Sequence, residues 1–413
     1  MWLESLRKQT DHIVNAAIGA VLPDAAVVRA LTGVDLPGRV ILISVGKAAW
    51  QMAKAAYGCV GNRIDKGIII SKYGHIRGPV GDLICREAGH PVPDENGFRA
   101  TAEALTMVSG LTEKDTVLFL LSGGGSALFE DPLVPGEELQ NITAQLLACG
   151  AEITEINTIR KRLSKVKGGR FAALCAPARV FSVVLSDIIG DPLDMIASGP
   201  ACPDSSTCAQ AISIAEKYGL KLSVTAWDCL RRETPKTISN VTTKITGSVR
   251  ELCAAAASAA AELGYEPLIL TDRLNCEARV AGQFLADVAK EHYGSGRNLA
   301  FIAGGETVVS VTGTGKGGRN QELALAAALG IEGMDQVCVF SIGSDGTDGP
   351  TDAAGGYVDG ETVSRLRSQG IDPIAMLDNN DAYHALERSG GLIFTGPTGT
   401  NVNDVAVVLM AKY

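Results

Sequence analysis

Glycines and charged side chains concentrate between residues 304 and 322, where the sequence is GGETVVSVTGTGKGGRNQE. Glycine allows backbone N–H groups to approach a ligand closely, and the start of a following helix adds partial positive charge. Lys316 and Arg319 add two full positive charges. The pattern predicts a site for an anion such as phosphate, and a glycine-rich hairpin before an ordinary helix is the alternative. The residues expected at the anion are Gly317, Gly318 and Asn320.

A second glycine-rich loop follows the apolar run 116–121 and consists of Ser122, Gly123, Gly124, Gly125 and Ser126. A buried strand that opens into three glycines is how parallel sheets place ligands at the carboxyl ends of their strands. Familiar motifs do not match, because the dinucleotide fingerprint and the serine nucleophile elbow both need glycine at position 128, which is leucine. Residues 313–317 likewise lack the Walker A pattern. We predict phosphate binding by this loop without a common motif.

Lys47 follows a short β-branched run and precedes an alanine-rich helix, so its ammonium is expected at the carboxyl edge of a sheet. A lysine there can act as a point charge on a transferring phosphoryl group or on a substrate carboxylate. A solvated surface lysine is the alternative. The apolar residues on both sides favour the functional interpretation and make Lys47 a catalytic candidate.

Six basic residues occur among the eleven positions 160–170. A charge run of this kind is usually a solvated helix face. In an acidic protein, a basic patch that contains the pair Gly168-Gly169 is also a candidate anion contact. Arg160 and Lys167 are the members expected to bind substrate.

Two carboxylates, Asp187 and Asp191, stand four residues apart in a loop after a predicted strand. Magnesium bound with a nucleotide takes one or two carboxylates and keeps several waters, so this loop predicts a metal site. Helix capping or turn formation is the alternative. Asp345, at the end of another predicted strand, and Glu306 are further candidates for contact with the substrate.

Strand and helix patterns alternate along the chain, which predicts an α/β fold with a mostly parallel sheet and helices on both faces. The pattern breaks in the polar stretch 231–240, and we therefore predict two domains, 1–235 and 236–413. Ligands commonly bind in the cleft between domains. The predicted strands are 39–45, 67–71, 82–87, 116–121 and 179–185 in the first half, and 241–245, 267–271, 299–303, 307–311 and 336–342 in the second.

Composition limits the classes of function. The chain has 413 residues, 46% of them hydrophobic and 20% charged, with 47 glycines and a net charge of −9. This mixture is typical of a well-packed enzyme with many tight turns, and its length favours two or three domains. The acidic balance argues against nucleic acid or an anionic membrane as partner, but it allows a local basic pocket for a small anion.

Cysteine spacing and the N-terminus predict the compartment. The ten cysteines include no Cys-x-x-Cys pair and none lies within four residues of a histidine, so a zinc site and a disulfide framework are not expected. Residues 1–22 have the charge spacing of an amphipathic helix and lack the apolar core of a signal peptide. No apolar run reaches the roughly 18 residues of a membrane helix. We predict a cytoplasmic protein.

The motifs together resemble the second class of glycerate 2-kinases, the family whose C-terminal part is the MOFRL domain. The resemblance implies a Rossmann-like N-terminal domain, a smaller α/β C-terminal domain and an active site between them. It also implies magnesium-dependent transfer from ATP to the 2-hydroxyl of D-glycerate, with Lys47 and Arg319 as the main catalytic residues. The matching stretches are Val45–Ala48, Gly89–Asp94, Leu121–Ala127, Asn157–Arg170, Leu185–Pro203, Gly304–Glu322 and Ser341–Gly356.

Other functions stay open from the residues alone. A kinase could accept another small hydroxy acid, or phosphorylate the 3-hydroxyl. A serine hydrolase using Ser126 is disfavoured by the failed elbow motif and by five histidines without a recognisable triad context. A non-catalytic anion-binding module would need no metal carboxylates. The sequence does not decide whether the chain forms a homo-oligomer.

Overall fold

The computed structural model describes residues 2–412, which form two compact units. The first unit spans Pro23–Thr246, and the second takes the chain up to Leu22 and again from Gly247 onward. The strands are β1 (Val40–Val45), β2 (Ile64–Lys72), β3 (Ile84–Ala88), β4 (Thr116–Leu121), β5 (Arg179–Val184), β6 (Val241–Ile245), β7 (Glu266–Leu274), β8 (Leu299–Gly305), β9 (Val337–Gly343), β10 (Gly355–Asp359), β11 (Leu392–Ile393) and β12 (Asp404–Met410).

Helices connect most of these strands. They are α1 (Trp2–Val21), α2 (Pro23–Leu31), α3 (Ala49–Val60), α4 (Glu95–Val108), α5 (Gly125–Leu128), α6 (Gly136–Ala148), α7 (Ile153–Arg162), α8 (Arg170–Cys175), α9 (Cys208–Lys217), α10 (Val224–Leu230), α11 (Val249–Glu262), α12 (Ala278–His292), α13 (Arg319–Gly330), α14 (Thr362–Ser368), α15 (Pro373–Asp378) and α16 (Ala382–Ser389). Short 3-10 helices cover Gly61–Arg63 and Ile196–Ser198.

The first unit is built on a parallel sheet in the order β3-β2-β1-β4-β5-β6. Every residue of β1 and β4 is buried, because helices cover both faces: α2 and α3 on one side, α4 and α8 on the other. The order is that of dinucleotide-binding sheets, in which ligands bind where the chain direction across the sheet reverses. That reversal falls between β1 and β4, which end side by side at Val45 and Leu121.

The second unit contains a mixed sheet in the order β11-β10-β9-β12-β8-β7. Only β7 and β8 pair in parallel among its described neighbours, since β12 inserts antiparallel between β8 and β9. Helices α1 and α11 cover one face of this sheet, and α12 and α13 cover the other. The α/β class with two units is confirmed, but the prediction of a mostly parallel sheet is wrong for this unit.

Two unit boundaries and one strand differ from the sequence predictions. The predicted strand 241–245 is β6, and it pairs with β5 to complete the first sheet, so the first unit extends beyond residue 235 to Thr246. Helix α1 belongs to the second unit because its apolar side packs in the core formed with α11. The predicted strand 307–311 is wrong, since only a single bridge between Glu277 and Val308 forms there.

Among residues 2–412, no single helix combines the length and the apolar character needed to cross a membrane, and α1 with α2 meets those criteria only as a bent pair.

Candidate functional site

The loops after β1 and β4 meet at the point where the first sheet changes direction. Lys47 donates its backbone N–H to Gly123 O at 2.9 Å, and Ala48 N–H donates to Ser122 Oγ at 3.1 Å. Gly46 has a φ of 122°, and a Cβ there would lie 2.2 Å from Ser122 Oγ. The sequence therefore needs glycine at position 46 for the two loops to touch. We call residues 122–126 the glycine loop.

Lys47 lies beside the glycine loop with its ammonium exposed. A Cβ on Gly124, whose φ is 86°, would lie 3.2 Å from Lys47 Cγ. In the described chain the Lys47 ammonium makes no ion pair or hydrogen bond, and no backbone acceptor takes the N–H groups of residues 123–126. A cation without a partner in the described chain, next to N–H groups without backbone acceptors, is an arrangement suited to an anion.

Further cationic groups come from the ends of β2 and β3. His75 Nδ1 lies 3.0 Å from Lys47 O. Burial lowers the pKa of His90, and the charges of Lys47, Lys72 and His75 lower it further. Both effects disfavour the charged form of the His90 imidazole beside these lysines. The sequence prediction missed this cluster, although the Gly89–Asp94 segment after a strand was a signal for it.

Asp187 of the predicted metal loop lies against the glycine loop. An oxygen of Asp187 would be 2.2 Å from a Cβ on Gly123, so a larger residue there would displace the Asp187 carboxylate. Asp191 has a φ of 53°, and its Oδ1 is buried without a hydrogen-bond partner in the described structure. No group of three metal-ligating side chains occurs among the described residues. The magnesium assignment of Asp187 and Asp191 stays a prediction.

Arg160 reaches the glycine loop from α7, which packs with α6, α9 and α10. Its Nη2 donates to Ser126 O at 3.2 Å. On the same side, Ser126 Oγ lies 3.2 Å from Ser198 Oγ, which donates to Asn157 Oδ1 at 2.8 Å. The structure thus places Arg160 beside the predicted phosphate-binding loop.

Most of the basic run 160–170 is neither a solvated face nor an open patch. Lys167 is fully buried and donates to Glu130 Oε2 and Phe129 O. Burial lowers the pKa of Lys167 to about 8 despite the charge of Glu130. Lys161 and Arg162 are also buried, and both pair with Asp204. These contacts favour a structural role for Lys167, whose assignment to substrate stays a prediction.

Arg319 begins α13 in the second unit and is held by two carboxylates. Its Nε and Nη2 donate to Asp404 at 2.5 and 3.0 Å, and its Nη1 donates to Glu306 at 3.0 Å. Burial alone would lower the Arg319 pKa, but the hydrogen bonds and charge of Asp404, with the charge of Glu306, raise it above its ordinary value. Glu306 also accepts from Asn403 at 3.1 Å. The guanidinium is fixed and permanently charged.

Several N–H groups in and after the glycine-rich segment before α13 are hydrogen-bonded within the protein. Asp348 accepts from Asn320 N–H at 3.1 Å and from Gln321 N–H at 2.8 Å, and so caps α13. Asn380 accepts from the N–H groups of Thr312 and Gly313. The contact with Asp348 weighs against phosphate at the N–H group of Asn320. The assignment of Gly317, Gly318 and Asn320 to phosphate stays a prediction.

Packing explains the glycines of this segment. A Cβ on Gly318 would lie 2.2 Å from Asp348 Cγ, and one on Gly313 would lie 2.3 Å from Asn379 O. Asp345, the other candidate from this unit, accepts from Thr347 N–H at 3.0 Å in the turn after β9. That contact shows a turn role and leaves its assignment to substrate as a prediction.

Comparison with known proteins identifies the family. Residues 9–231 match the model of a domain of unknown function, DUF4147, and residues 299–404 match the MOFRL family. A D-glycerate 2-kinase of Thermotoga maritima is 54% identical, covering 98% of this chain and 99% of the relative. This chain belongs to the MOFRL-type glycerate 2-kinase family.

The fold and one differently named relative complete the comparison. A crystal structure of a glycerate kinase from Thermotoga maritima has a TM-score of 0.94 at 54% identity and covers 99% of this chain and all of that chain. A relative from Agrobacterium vitis, 38% identical over 98% of this chain and 95% of its own, carries the provisional name hydroxypyruvate reductase. Family membership confirms the predicted phosphotransferase class.

Proposed function

We propose that the protein transfers the γ-phosphoryl group of ATP to the 2-hydroxyl of D-glycerate, giving 2-phosphoglycerate and ADP. Family membership supports the reaction. The structural observation that carries it is the unpaired Lys47 ammonium beside the glycine loop, at the carboxyl edge of a sheet with the strand order of nucleotide-binding folds.

Phosphoryl transfer depends on in-line positioning and on neutralising charge, tasks that this edge can perform. The N–H groups of Gly123, Gly124 and Gly125 hold the donor phosphates. Lys47 supplies a full positive charge at the transferring group, and Lys72 adds to the local potential. Burial and the neighbouring charges lower the pKa of His90, so this edge of the sheet offers its cationic charge through lysines.

The carboxylates of Asp187 and Asp191 fit a magnesium ion. Asp191 Oδ1 is buried and lacks a hydrogen-bond partner in the described structure, and the Asp187 carboxylate lies against Gly123. Carboxylate oxygens are the ligands that magnesium prefers, and one or two suffice when a nucleotide supplies the rest. The bound ion would neutralise phosphate charge.

Arg319 is the second catalytic residue in this proposal. Asp404 and Glu306 hold its Nε, Nη1 and Nη2 with one hydrogen bond each, which leaves one N–H on each terminal nitrogen for a ligand. A guanidinium held in this way needs no reorganisation when charge develops on an oxygen that it faces.

A reductase is the second candidate, since two relatives bear that name and the first sheet has the dinucleotide-binding order. Leu128 and the residues after β1 do not form the glycine fingerprint that a dinucleotide pyrophosphate requires. Hydroxypyruvate with NADH or NADPH tests this directly, and we expect no oxidation of either nucleotide.

The decisive assay supplies ATP, magnesium and D-glycerate with enolase and without phosphoglycerate mutase. Enolase accepts only 2-phosphoglycerate, so ultraviolet absorbance of its product reports phosphorylation at the 2-hydroxyl. We expect signal without mutase. A signal that requires mutase would show 3-phosphorylation and refute the proposal, as would ADP release that D-glycerate does not stimulate.

A further inference from the structure

Arg160 differs from its basic neighbours in lacking a carboxylate. Arg162 makes four hydrogen bonds and pairs with Asp204 and Glu233. Arg160 makes one hydrogen bond, to Ser126 O, and no carboxylate lies within 4.0 Å of its nitrogens in the described chain. The Nε of both arginines is buried without a partner, so the two differ in the hydrogen bonds of their terminal nitrogens and in the negative charge that Arg160 lacks.

A partly buried guanidinium without a counter-ion is costly to the folded protein. Burial lowers the pKa of Arg160, and only the more distant Glu130 offsets it. Glu130 is already paired with Lys167. A folded protein keeps such a group when a ligand supplies the charge, because arginine binds a carboxylate through two parallel N–H donors.

The surroundings of Arg160 favour a small hydroxylated anion. Ser126, Ser198 and Asn157 supply hydroxyl and amide groups next to its contact on the glycine loop. Ala197 and Ser198 have φ values of 50° and 60°, left-handed conformations that cost energy in residues other than glycine. This strained segment lies against the loop, where a Cβ on Gly125 would be 2.6 Å from Ala197 Cβ.

We propose that Arg160 binds the carboxylate of the acceptor hydroxy acid, with Ser126 and Ser198 at its hydroxyl side. The inference rests on the proposed function, because it assigns the acceptor to a reaction in which Lys47 serves the donor. Lys47 flanks the loop at Gly124 and Arg160 flanks it at Ser126. A triphosphate needs the clustered charge at Lys47 and Lys72, whereas one guanidinium matches the single charge of a carboxylate.

The test compares D-glycerate with its uncharged amide, D-glyceramide, in Arg160→Gln, Arg160→Lys and the control Arg179→Gln. Arg179 is exposed at the opposite, amino-terminal end of β5. Loss of the carboxylate's partner should lower kcat/KM for D-glycerate about 100-fold in Arg160→Gln, with kcat/KM for D-glyceramide and KM for ATP unchanged. Arg160→Lys should fall between, and Arg179→Gln should match the wild type.

Binding supplies a readout that does not depend on turnover. With a non-hydrolysable ATP analogue and magnesium present, D-glycerate should raise the Tm of the wild type and of Arg179→Gln but not of Arg160→Gln. Without ligands, Arg160→Gln should be at least as stable as the wild type, because it removes an uncompensated charge.

The opposing outcomes are distinct. An increased KM for ATP with an unchanged preference for D-glycerate over D-glyceramide would place donor phosphate at Arg160, and equal losses on both acceptors with a lowered Tm would show a structural role. Either result overturns the inference. If D-glycerate raises the wild-type Tm through Arg160 but is not phosphorylated, the proposed function fails and the carboxylate site stands.

Discussion

The two glycine-rich segments look alike in sequence and differ in structure. Each follows a buried strand and has a cation beside it, Lys47 for the glycine loop and Arg319 for the segment before α13. At the glycine loop, N–H groups lack backbone acceptors and the cation has no partner in the described chain. Before α13, side chains of Asp348 and Asn380 accept the N–H groups, and two carboxylates hold the cation.

The difference shows that a glycine-rich sequence indicates close packing against the backbone but does not indicate which group packs there. Gly46 and Gly124 leave room for a neighbouring loop and a lysine, while Gly313 and Gly318 leave room for backbone and an aspartate of their own unit. An open set of N–H groups can bind a phosphate. A set bonded to internal acceptors shapes the backbone around a fixed side chain, here Arg319.

The largest effect should come from removing the Lys47 ammonium. Lys47→Ala should lower kcat by roughly 100-fold or more, by analogy with deleting one preorganised donor, because no other side chain at Gly124 replaces its charge. The Tm should not change, since the ammonium has no partner in the described chain. Lys66→Ala, at an exposed position in β2, is the control. Near-normal turnover of Lys47→Ala would remove Lys47 from the mechanism.

Arg319 should tolerate a change of side-chain shape poorly even when the charge is kept. Arg319→Lys keeps the charge but cannot reproduce the fork to Asp404 and Glu306, so we expect kcat/KM to fall at least about tenfold. Arg365→Lys is the matched control, because Arg365 is 34% exposed, as Arg319 is, and also pairs with a buried aspartate, Asp359. Both variants should lose similar stability, but only Arg319→Lys should lose activity. Full activity would show that diffuse charge suffices.

Sequence patterns predicted the meeting of the loops after β1 and β4 better than the contacts that hold Arg319. The apolar runs of β1 and β4 and the residues after them are local signals, and both loops lie at one edge because parallel strands end together. Asp348 caps a helix that begins 29 residues earlier, and Asp404 reaches Arg319 because β12 inserts between β8 and β9. Nothing in the local pattern predicts such distant pairings.

The same limit explains the basic run. Arg160 and Arg162 stand two residues apart in one helix, yet only Arg162 meets the carboxylates that the segment 204–233 brings back to α7. Composition assigned both to a solvated face or to an anion contact. The structure separates them because helix periodicity turns one toward the helical layer and the other toward the glycine loop.

A smaller effect is expected from neutralising the carboxylates of Asp187 and Asp191. Asp187→Asn and Asp191→Asn should raise the magnesium concentration needed for half-maximal rate in at least one variant, because an amide is a poorer ligand for a hard cation. Asp194→Asn, three residues after Asp191 and paired with Lys161, is the control. If both variants titrate with magnesium like the wild type, Asp345 or Glu306 becomes the better metal candidate.

The smallest effect concerns stability alone and involves Asp348, the residue that caps α13. Burial raises the pKa of Asp348 to about 7, although N–H bonds from Gln321 and Asn320 oppose the rise. Because the folded-state pKa exceeds the unfolded value, the native state binds more protons between about pH 4 and pH 7, and this stabilisation is lost as pH rises through 7. The slope cannot exceed about 1.4 kcal/mol per pH unit.

Asp348→Asn separates the titration from the cap. The variant should be less stable at every pH, since an amide offers one oxygen to the N–H groups that two carboxylate oxygens accept. Its deficit relative to the wild type, measured as the free energy of unfolding in urea, should shrink from pH 5 to pH 8 as ionisation weakens the wild type. A deficit that is constant or grows with pH would mean that the carboxylate is ionised throughout, so that Asp348 caps α13 as a full charge.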